Sequence, residues 1–428
     1  MLKILTMIFT GIIVSFYYFP FEFSFLPGLN TKMGLAVVGL LLALLNLIRK
    51  REVQFPPNLV RIEAFAVLVS VVGITSVVIN NTSDYVYATY FASMTVWLSG
   101  AYTVCSLIKR VHGSLTVENV TLYLASVCAF QCMFALIIDA NIVVKKFIDL
   151  YIIQGQAFLT EVERLYGVGA SLDTAGVRFS ICLILISFIL NRCKDKMGNV
   201  QILIMVLLYV WIAIVGNMIA RTTIVGVALS LFSVMFLFRP MSVNRSFFRI
   251  ARVVLLILLV TIPLCIYLYN NSTQFYQLSR FAFEGFFNLA ETGEWEIGSN
   301  ETLKTMIIFP DNLKTWIIGD AYFTNPYGLD PYYVGPFIGG YYMGTDIGYC
   351  RFIFYFGIVG LCAFSTFLIY VAKECILLLP TYRNLILIIL LLGFVIWMKV
   401  ATDVFLVFAL LLCIGNMQDA PQQHETES

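Results

Sequence analysis

Four arginines lie where long apolar segments of the chain end, at positions 178, 221, 280 and 351. Arg221 stands in a short turn between two apolar segments, and Arg351 follows Asp-Ile-Gly-Tyr-Cys. Charge near hydrocarbon is costly, so ionisable residues at such places often serve a function. A guanidinium binds phosphate oxygens through two parallel hydrogen bonds. We therefore predict a site for a dianionic head group, formed by Arg178, Arg221, Arg280 and Arg351. The alternative for each is pairing with a nearby acid or contact with lipid phosphates.

Asp346 lies five residues before Arg351, where a polar stretch becomes apolar. A carboxylate there can act as a general base on a sugar hydroxyl. It can equally cap the helix that follows, and the two roles can coexist. Asp173 and Asp320 are the weaker candidates for the base.

One long stretch, Asn270 to Thr345, is rich in aromatic side chains mixed with Glu, Asp, Asn, Gly and Pro. Aromatic faces beside polar groups suit sugar rings, which have apolar C–H faces and hydroxyl edges. The aromatic candidates for substrate binding are Trp316, Tyr341, Tyr342 and Tyr349.

Composition restricts the class of protein. The 428 residues are 60% hydrophobic and only 12% charged, with a mean hydropathy of +0.89. This predicts an all-α polytopic membrane protein. A net charge of +2 without a basic stripe gives no indication of nucleic acid. No phosphate-binding loop, dinucleotide motif or metal spacing is present, so we expect neither a nucleotide nor a metal cofactor. The histidines are His112 and His424, neither in the long aromatic stretch.

The apolar runs predict twelve spans in a single domain covering residues 1–428: 2–19, 33–48, 62–80, 86–108, 118–140, 174–191, 199–218, 222–238, 253–269, 346–370, 384–399 and 402–415. Basic clusters fall on alternate connections: Arg49-Lys50-Arg51, Lys109-Arg110, Arg192 to Lys196, Arg239 to Arg252, Lys373 and Arg383. The positive-inside rule makes that side cytoplasmic, together with both termini. The loop 270–345 is then outside, in the periplasm of a Gram-negative cell. Residues 141–154 predict a helix lying in the interface plane.

Three short motifs resemble segments of the bacterial O-antigen polymerases of the Wzy type. Gly-Thr-Asp-Ile-Gly-Tyr-Cys-Arg-Phe-Ile-Phe-Tyr-Phe-Gly-Ile-Val-Gly (344–360) is similar to their loop-to-helix segment. Trp-Ile-Ile-Gly-Asp (316–320) is similar to their upstream stretch, and Arg-Thr-Thr (221–223) to their arginine turn. The resemblance implies a helical C-type membrane glycosyltransferase fold, related to the O-antigen ligases.

The resemblance also implies an activity in lipopolysaccharide biosynthesis at the bacterial inner membrane. Oligosaccharide repeat units on undecaprenyl diphosphate, as donor and acceptor, are joined at the periplasmic face, with a chain-length regulator protein as partner. An O-antigen ligase is the nearest alternative, although ligases are expected to carry a histidine in an outer loop. A lipid-linked oligosaccharide flippase or other transporter is the second alternative, although such proteins usually show two related halves.

Overall fold

The structure is a computed structural model that describes residues 2–50, 56–154, 159, 164–238, 245–327 and 340–417. Four parts of the chain that the sequence analysis discusses lie outside these residues: Arg51, the basic segment 239–244, the part of the long loop at 328–339, and His424.

The described residues form seventeen α-helices. They are α1 (Leu2–Tyr18), α2 (Thr31–Lys50), α3 (Pro57–Asn80), α4 (Tyr90–His112), α5 (Val117–Ala140), α6 (Ile142–Tyr151), α7 (Leu172–Cys193), α8 (Asn199–Ile219), α9 (Thr223–Phe232), α10 (Arg245–Asn271), α11 (Thr273–Ala282), α12 (Glu284–Thr292), α13 (Gly298–Thr305), α14 (Leu313–Ile318), α15 (Gly348–Leu378), α16 (Arg383–Ile396) and α17 (Phe405–Met417). A π-helical stretch (Ser233–Leu237) prolongs α9, and the short strands β1 (Glu22–Phe23) and β2 (Ile152–Ile153) pair antiparallel.

The all-α prediction is confirmed, because a helix occupies each of the twelve predicted apolar segments. Seven of the described helices are long and apolar enough to cross a membrane, and five apolar ones are shorter. The surface of α10 is apolar and fits a lipid environment, since the side chains of Leu259 and Val260 are 61% and 69% exposed. A long helix whose exposed side chains are apolar is stable only in apolar surroundings.

The core surrounds α17, which is buried along most of its length and packs on α4 and α15, and it extends to α7, which packs on α5, α8, α9 and α16. Helix α3 packs on α15, α2 packs on α4, and α9 packs on α7. Helix α7 begins at the same end of the bundle where α8 and α16 end and α15 begins. We call this the site end.

The last two predicted spans extend beyond the helices that form. Helix α16 ends at Ile396 and α17 begins at Phe405, so Lys399 and Asp403 lie in the connection between them rather than inside spans 384–399 and 402–415. Both side chains have polar partners there. Lys399 pairs with Asp173, and the Asp403 carboxylate accepts a hydrogen bond from the Phe405 amide.

Helix α15 is broken at Phe356 and Gly357, where the backbone leaves the helical region. The carbonyls of Phe354 and Tyr355 lose their helical partners there and accept hydrogen bonds of 2.6 and 3.0 Å from the amides of Asp320–Ala321. The Trp-Ile-Ile-Gly-Asp segment is thereby docked into the break. Two of the three motifs that carry the family resemblance thus contact each other through the backbone.

Replacing Gly357 with Ala is expected to destabilise the protein strongly. Its φ of 68° and ψ of −172° belong to a region that is essentially restricted to glycine. A Cβ atom would also overlap the Ile317 carbonyl. We expect a loss of about 2–5 kcal/mol, measured by thermal unfolding in detergent. Gly113→Ala is the matched control, because Gly113 has a positive φ with open space around it. It should cost only about 1 kcal/mol, and equal effects would contradict the docking argument.

Candidate functional site

A carboxylate and an ammonium group meet at the site end. Asp173 lies in the first turn of α7, and Lys399 Nζ is 2.8 Å from its Oδ1. The hydroxyl of Thr222, in the turn between α8 and α9, donates to the same carboxylate and lies 3.3 Å from the Lys399 Nζ. This polar cluster joins the ends of three helices that are distant in sequence.

Asp346 and Arg351 form the second part of the site. The Asp346 Oδ1 atom is buried and has no hydrogen-bond partner among the described residues. Helix α15 begins at Gly348 with Ile347 at the N-cap and no capping side chain, so the interpretation of Asp346 as a helix cap is wrong. A buried polar atom without a partner is rare and costs free energy, so it calls for an explanation. A ligand hydroxyl that donates a hydrogen bond to this oxygen is a direct explanation.

Arg351 is 3% exposed, and its guanidinium lies between two aromatic rings. Its Cζ atom is 3.7 Å from the Phe323 ring centroid and 3.5 Å from that of Tyr341. The Nη2 atom donates to the Phe323 carbonyl over 3.2 Å, whereas Nε is buried with no partner among the described residues. The site therefore holds a donor and an acceptor that the described protein leaves unused.

Burial raises the pKa of Asp346 above its usual value, and the nearby Asp173 carboxylate acts in the same direction. Arg351 and Lys399 oppose this rise. Burial also raises the pKa of Tyr341, with Asp346 adding to the effect and Arg351 opposing it. These mutual influences show that the two acids and two cations share one electrostatic environment.

Two further arginines flank one aromatic ring beside this cluster. The Cζ atoms of Arg164 and Arg221 lie 4.0 and 3.9 Å from the centroid of Phe281. Burial lowers the pKa of Arg164, with Arg221 adding to the effect and Asp173 opposing it. The side chain of Arg164 has no hydrogen bond or ion pair within the described part of the chain. It is available to an anion.

Arg221 is, in contrast, fully engaged. Its Nε donates to the Phe281 carbonyl over 2.8 Å, Nη1 donates to the Ser299 hydroxyl over 3.0 Å, and Nη2 lies 2.8 Å from Glu284 Oε2. This last contact is an ion pair without hydrogen-bond alignment. Arg221 ties the α8–α9 turn to the helices of the long loop, and in this arrangement it positions the loop.

Other residues singled out in the sequence make their contacts elsewhere. Arg280 forms a bidentate pair with Glu291, with Nη2–Oε2 at 3.0 Å, on the exposed surface. Trp316 donates from its indole to the Pro310 carbonyl and stacks on Phe309. These contacts explain Arg280 and Trp316 without a ligand.

Tyr342, Asp320 and Tyr349 also have structural partners. The Tyr342 hydroxyl donates to Asp320 Oδ2 over 3.3 Å, and the other oxygen of Asp320 accepts from Thr315. The Tyr349 hydroxyl donates to the Phe394 carbonyl over 3.0 Å, near the end of α16. Asp320 therefore holds the loop together, which leaves Asp346 and Asp173 as the acids of the site.

Sequence reasoning missed Arg164 and Lys399. Lys399 follows an apolar run and precedes Val-Ala-Thr-Asp, so the argument that selected the arginines applied to it as well. Arg164 carries a weaker signal, because its position depends on the segment 164–170. Gln131, 3% exposed inside α5, fixes that segment by accepting a hydrogen bond from the Val168 amide.

Tyr341→Leu is expected to lower activity about 3- to 30-fold, which corresponds to the loss of one desolvated cation–π contact on Arg351. Leu keeps the apolar bulk, so folding should be retained. The measurement is the amount of long-chain lipopolysaccharide made by cells carrying the variant, since this is the product that the sequence resemblance implies. Trp316→Leu and Tyr342→Leu are the comparison variants. If all three variants stay fully active, these rings serve packing alone.

The arrangement can hold an anion and accept a proton. Arg164, Arg351 and Lys399 supply positive charge, and Asp346 supplies an acceptor beside them. Among the described residues, His, Cys, Asp and Glu do not gather in groups of three that would hold a metal ion. Comparison of the chain with family models, curated proteins and solved structures finds no significant match.

Proposed function

We propose that this chain is an O-antigen polymerase, a membrane glycosyltransferase that joins oligosaccharide repeat units carried on undecaprenyl diphosphate. The observation that carries the proposal concerns two buried atoms in one electrostatic environment, a carboxylate oxygen of Asp346 and the guanidinium Nε of Arg351. Neither atom has a hydrogen-bond partner among the described residues. Transfer from a lipid diphosphate needs a base for the acceptor hydroxyl and cations for the departing diphosphate. The site end offers both.

An apolar groove supports a lipid-linked substrate. It has a volume of about 660 Å³ and lies between α8 and α10, with Trp211 and Leu264 among its lining residues. Met218 and Phe275 line it as well, and Met218 immediately precedes the turn that carries Arg221. A polyprenyl chain in this groove would bring its diphosphate toward Arg164.

In the proposed reaction, the acceptor hydroxyl gives its proton to the Asp346 carboxylate. Its oxygen bonds to the anomeric carbon of the donor sugar, and the bond from that carbon to the diphosphate oxygen breaks. The electron pair leaves on the diphosphate, whose charge is stabilised by Arg164, Arg351 and Lys399. A lipid diphosphate is a good leaving group at neutral pH, so positioning and charge stabilisation carry most of the catalysis.

The proposal includes twelve membrane spans in the bacterial inner membrane, with the site end facing the periplasm. Reporter fusions at Gly298 and Gly113 are therefore expected to report opposite compartments, because basic loops are retained in the cytoplasm. Gly113 follows Lys109 and Arg110, and Gly298 lies in the long loop. Activity of the same reporter at both positions would contradict this topology.

The direct test is the banding of lipopolysaccharide on a gel from a deletion strain, with and without the restored gene. Loss of a polymerase leaves lipopolysaccharide with a single repeat unit. Loss of a ligase leaves lipopolysaccharide without any attached repeat unit, and loss of a flippase leaves the lipid-linked units in the cytoplasm. Either of the last two patterns would replace the proposed function.

A further inference from the structure

A second polar cavity opens beside the site, with a volume of about 220 Å³. Its wall is formed by the first turns of α7, the α16–α17 connection and aromatic side chains from α4 and the long loop. The lining residues that matter here are Thr174, Arg178, Thr402, Asp403, Trp97 and Phe323. The cavity is smaller than the roughly 300–1,000 Å³ of pockets for drug-sized ligands, and too large for a single atom. It suits one ring.

The charges around this cavity do not balance. Arg178 lies 5.5 Å from the Phe19 ring centroid, and its guanidinium has no carboxylate or carbonyl partner among the described residues. Lys32 lies behind the wall, with its Nζ 4.2 Å from the Trp97 ring centroid. Asp403 is the acid that lines the cavity, and it accepts hydrogen bonds from the Phe405 amide and the Tyr90 hydroxyl. One positive charge therefore remains unmatched by the described residues.

Arg178 is half-buried, and a cation in such a place without a charged partner is stabilised by an anionic ligand. The surplus of one charge fits a carboxylate. The two threonine hydroxyls and Asp403 can bond with ligand hydroxyls, and Phe323 offers an apolar wall for C–H groups. Ring size, hydroxyl partners and a single surplus cation together describe a monosaccharide that carries a carboxylate.

We propose that this cavity is a binding subsite for an acidic monosaccharide unit, with Arg178 as the partner of its carboxylate. The subsite is separate from the Asp346 centre but adjacent to it, because the Phe323 ring that lines the cavity also packs on the Arg351 guanidinium. That the sugar belongs to a glycan repeat unit rests on the proposed function. The binding itself does not require polymerisation.

The test is saturation-transfer NMR on the full chain in nanodiscs, titrated separately with D-glucuronate, D-glucose and acetate. Glucuronate has both the ring and the charge, glucose has only the ring, and acetate has only the charge. We expect glucuronate to bind at least about tenfold more tightly than either of the others. Equal binding of glucuronate and glucose would overturn the role of the cation. Equal binding of glucuronate and acetate would overturn the ring-sized site.

Two variants should shift the affinity in opposite directions. Arg178→Met should weaken glucuronate binding about tenfold or more, because the carboxylate loses its charged partner. Asp403→Asn keeps the hydrogen bond to Phe405 but removes a negative charge, so it should raise the preference for glucuronate over glucose. Arg280→Met is the matched control, since that exposed cation already pairs with Glu291.

Unchanged glucuronate affinity in Arg178→Met would refute the subsite, as would a lower preference for glucuronate in Asp403→Asn. If Arg178→Met fails to fold, the Asp403→Asn result decides alone. Because binding is measured without turnover, selective glucuronate binding would stand even if the deletion strain showed that the chain is not a polymerase. Conversely, a confirmed polymerase without such binding would refute this subsite alone.

Discussion

Asp346→Asn is expected to reduce long-chain polymer by about 10²–10⁴-fold, the usual contribution of a general base. Asn has nearly the same shape, but its amide cannot accept the proton of the acceptor hydroxyl. A role in helix capping would predict the opposite, since Asn caps as well as Asp. The structure already places Ile347 at the N-cap. The measurement is the lipopolysaccharide banding of a deletion strain that expresses the variant, normalised to the amount of protein in the membrane.

Near-normal polymer from Asp346→Asn would remove Asp346 as the base and leave Asp173 as the next acid of the site. Asp173→Asn is therefore the matched comparison. It keeps a side-chain oxygen that can accept from Thr222 and Lys399 but removes the charge that helps to raise the Asp346 pKa. If Asp346 is the base, Asp173→Asn should reduce polymer far less than Asp346→Asn.

The pH profile offers a second check on the same residue. The pKa of Asp346 is raised, so its protonated, inactive form is populated at a higher pH than for an exposed aspartate. Activity should therefore fall as pH drops through this raised value. Asp173→Asn should move the acid limb to lower pH, and Lys399→Met should move it to higher pH, since Lys399 opposes the rise. Shifts in the same direction would contradict the assignment.

The helices in the twelve apolar segments could be predicted because each segment is bounded by charged or polar residues, whereas the short helices of the long loop follow no apolar run. The positions at which the helices end near the site were harder to predict. The run that includes Lys399 continues the apolar pattern, yet the helix ends at Ile396, and Lys399 lies beyond it and pairs with Asp173 on another helix. The break in α15 is similar, since Gly357 signals a special backbone but not the segment that docks there.

The candidate site was predicted in part. Asp346, Arg351 and Tyr341 lie close along the chain, and the structure brings them together. The role of a charged residue depends, however, on partners that the sequence does not reveal. Arg280 is paired with Glu291, while Arg164 has no ion pair among the described residues. Both are arginines near apolar segments, and only the three-dimensional contacts separate the structural cation from the available one.

Replacing Arg221 is expected to reduce polymer about 10²-fold without loss of protein, because misplacing a reacting group by about 1 Å can have that effect. The guanidinium contacts Phe281, Ser299 and Glu284 at once. Arg221→Lys keeps the charge but cannot make the two directed hydrogen bonds to Phe281 and Ser299, so it should lose nearly as much activity as Arg221→Ala. Glu284→Gln removes one of the three contacts and should cost less.

The matched control is Arg280→Ala, which removes an arginine from the same loop. Arg280 forms an exposed pair with Glu291, and such pairs contribute little. We expect near-normal polymer from it. Equal losses in Arg280→Ala and Arg221→Ala would mean that the overall positive charge of the loop matters, rather than the position that Arg221 sets. Normal long-chain lipopolysaccharide from Arg221→Ala would remove its role altogether. The decisive result is a loss of polymer in Arg221→Lys as large as in Arg221→Ala. Lysine retains the positive charge, so such a loss must come from the directed contacts that hold Phe281 between Arg221 and Arg164.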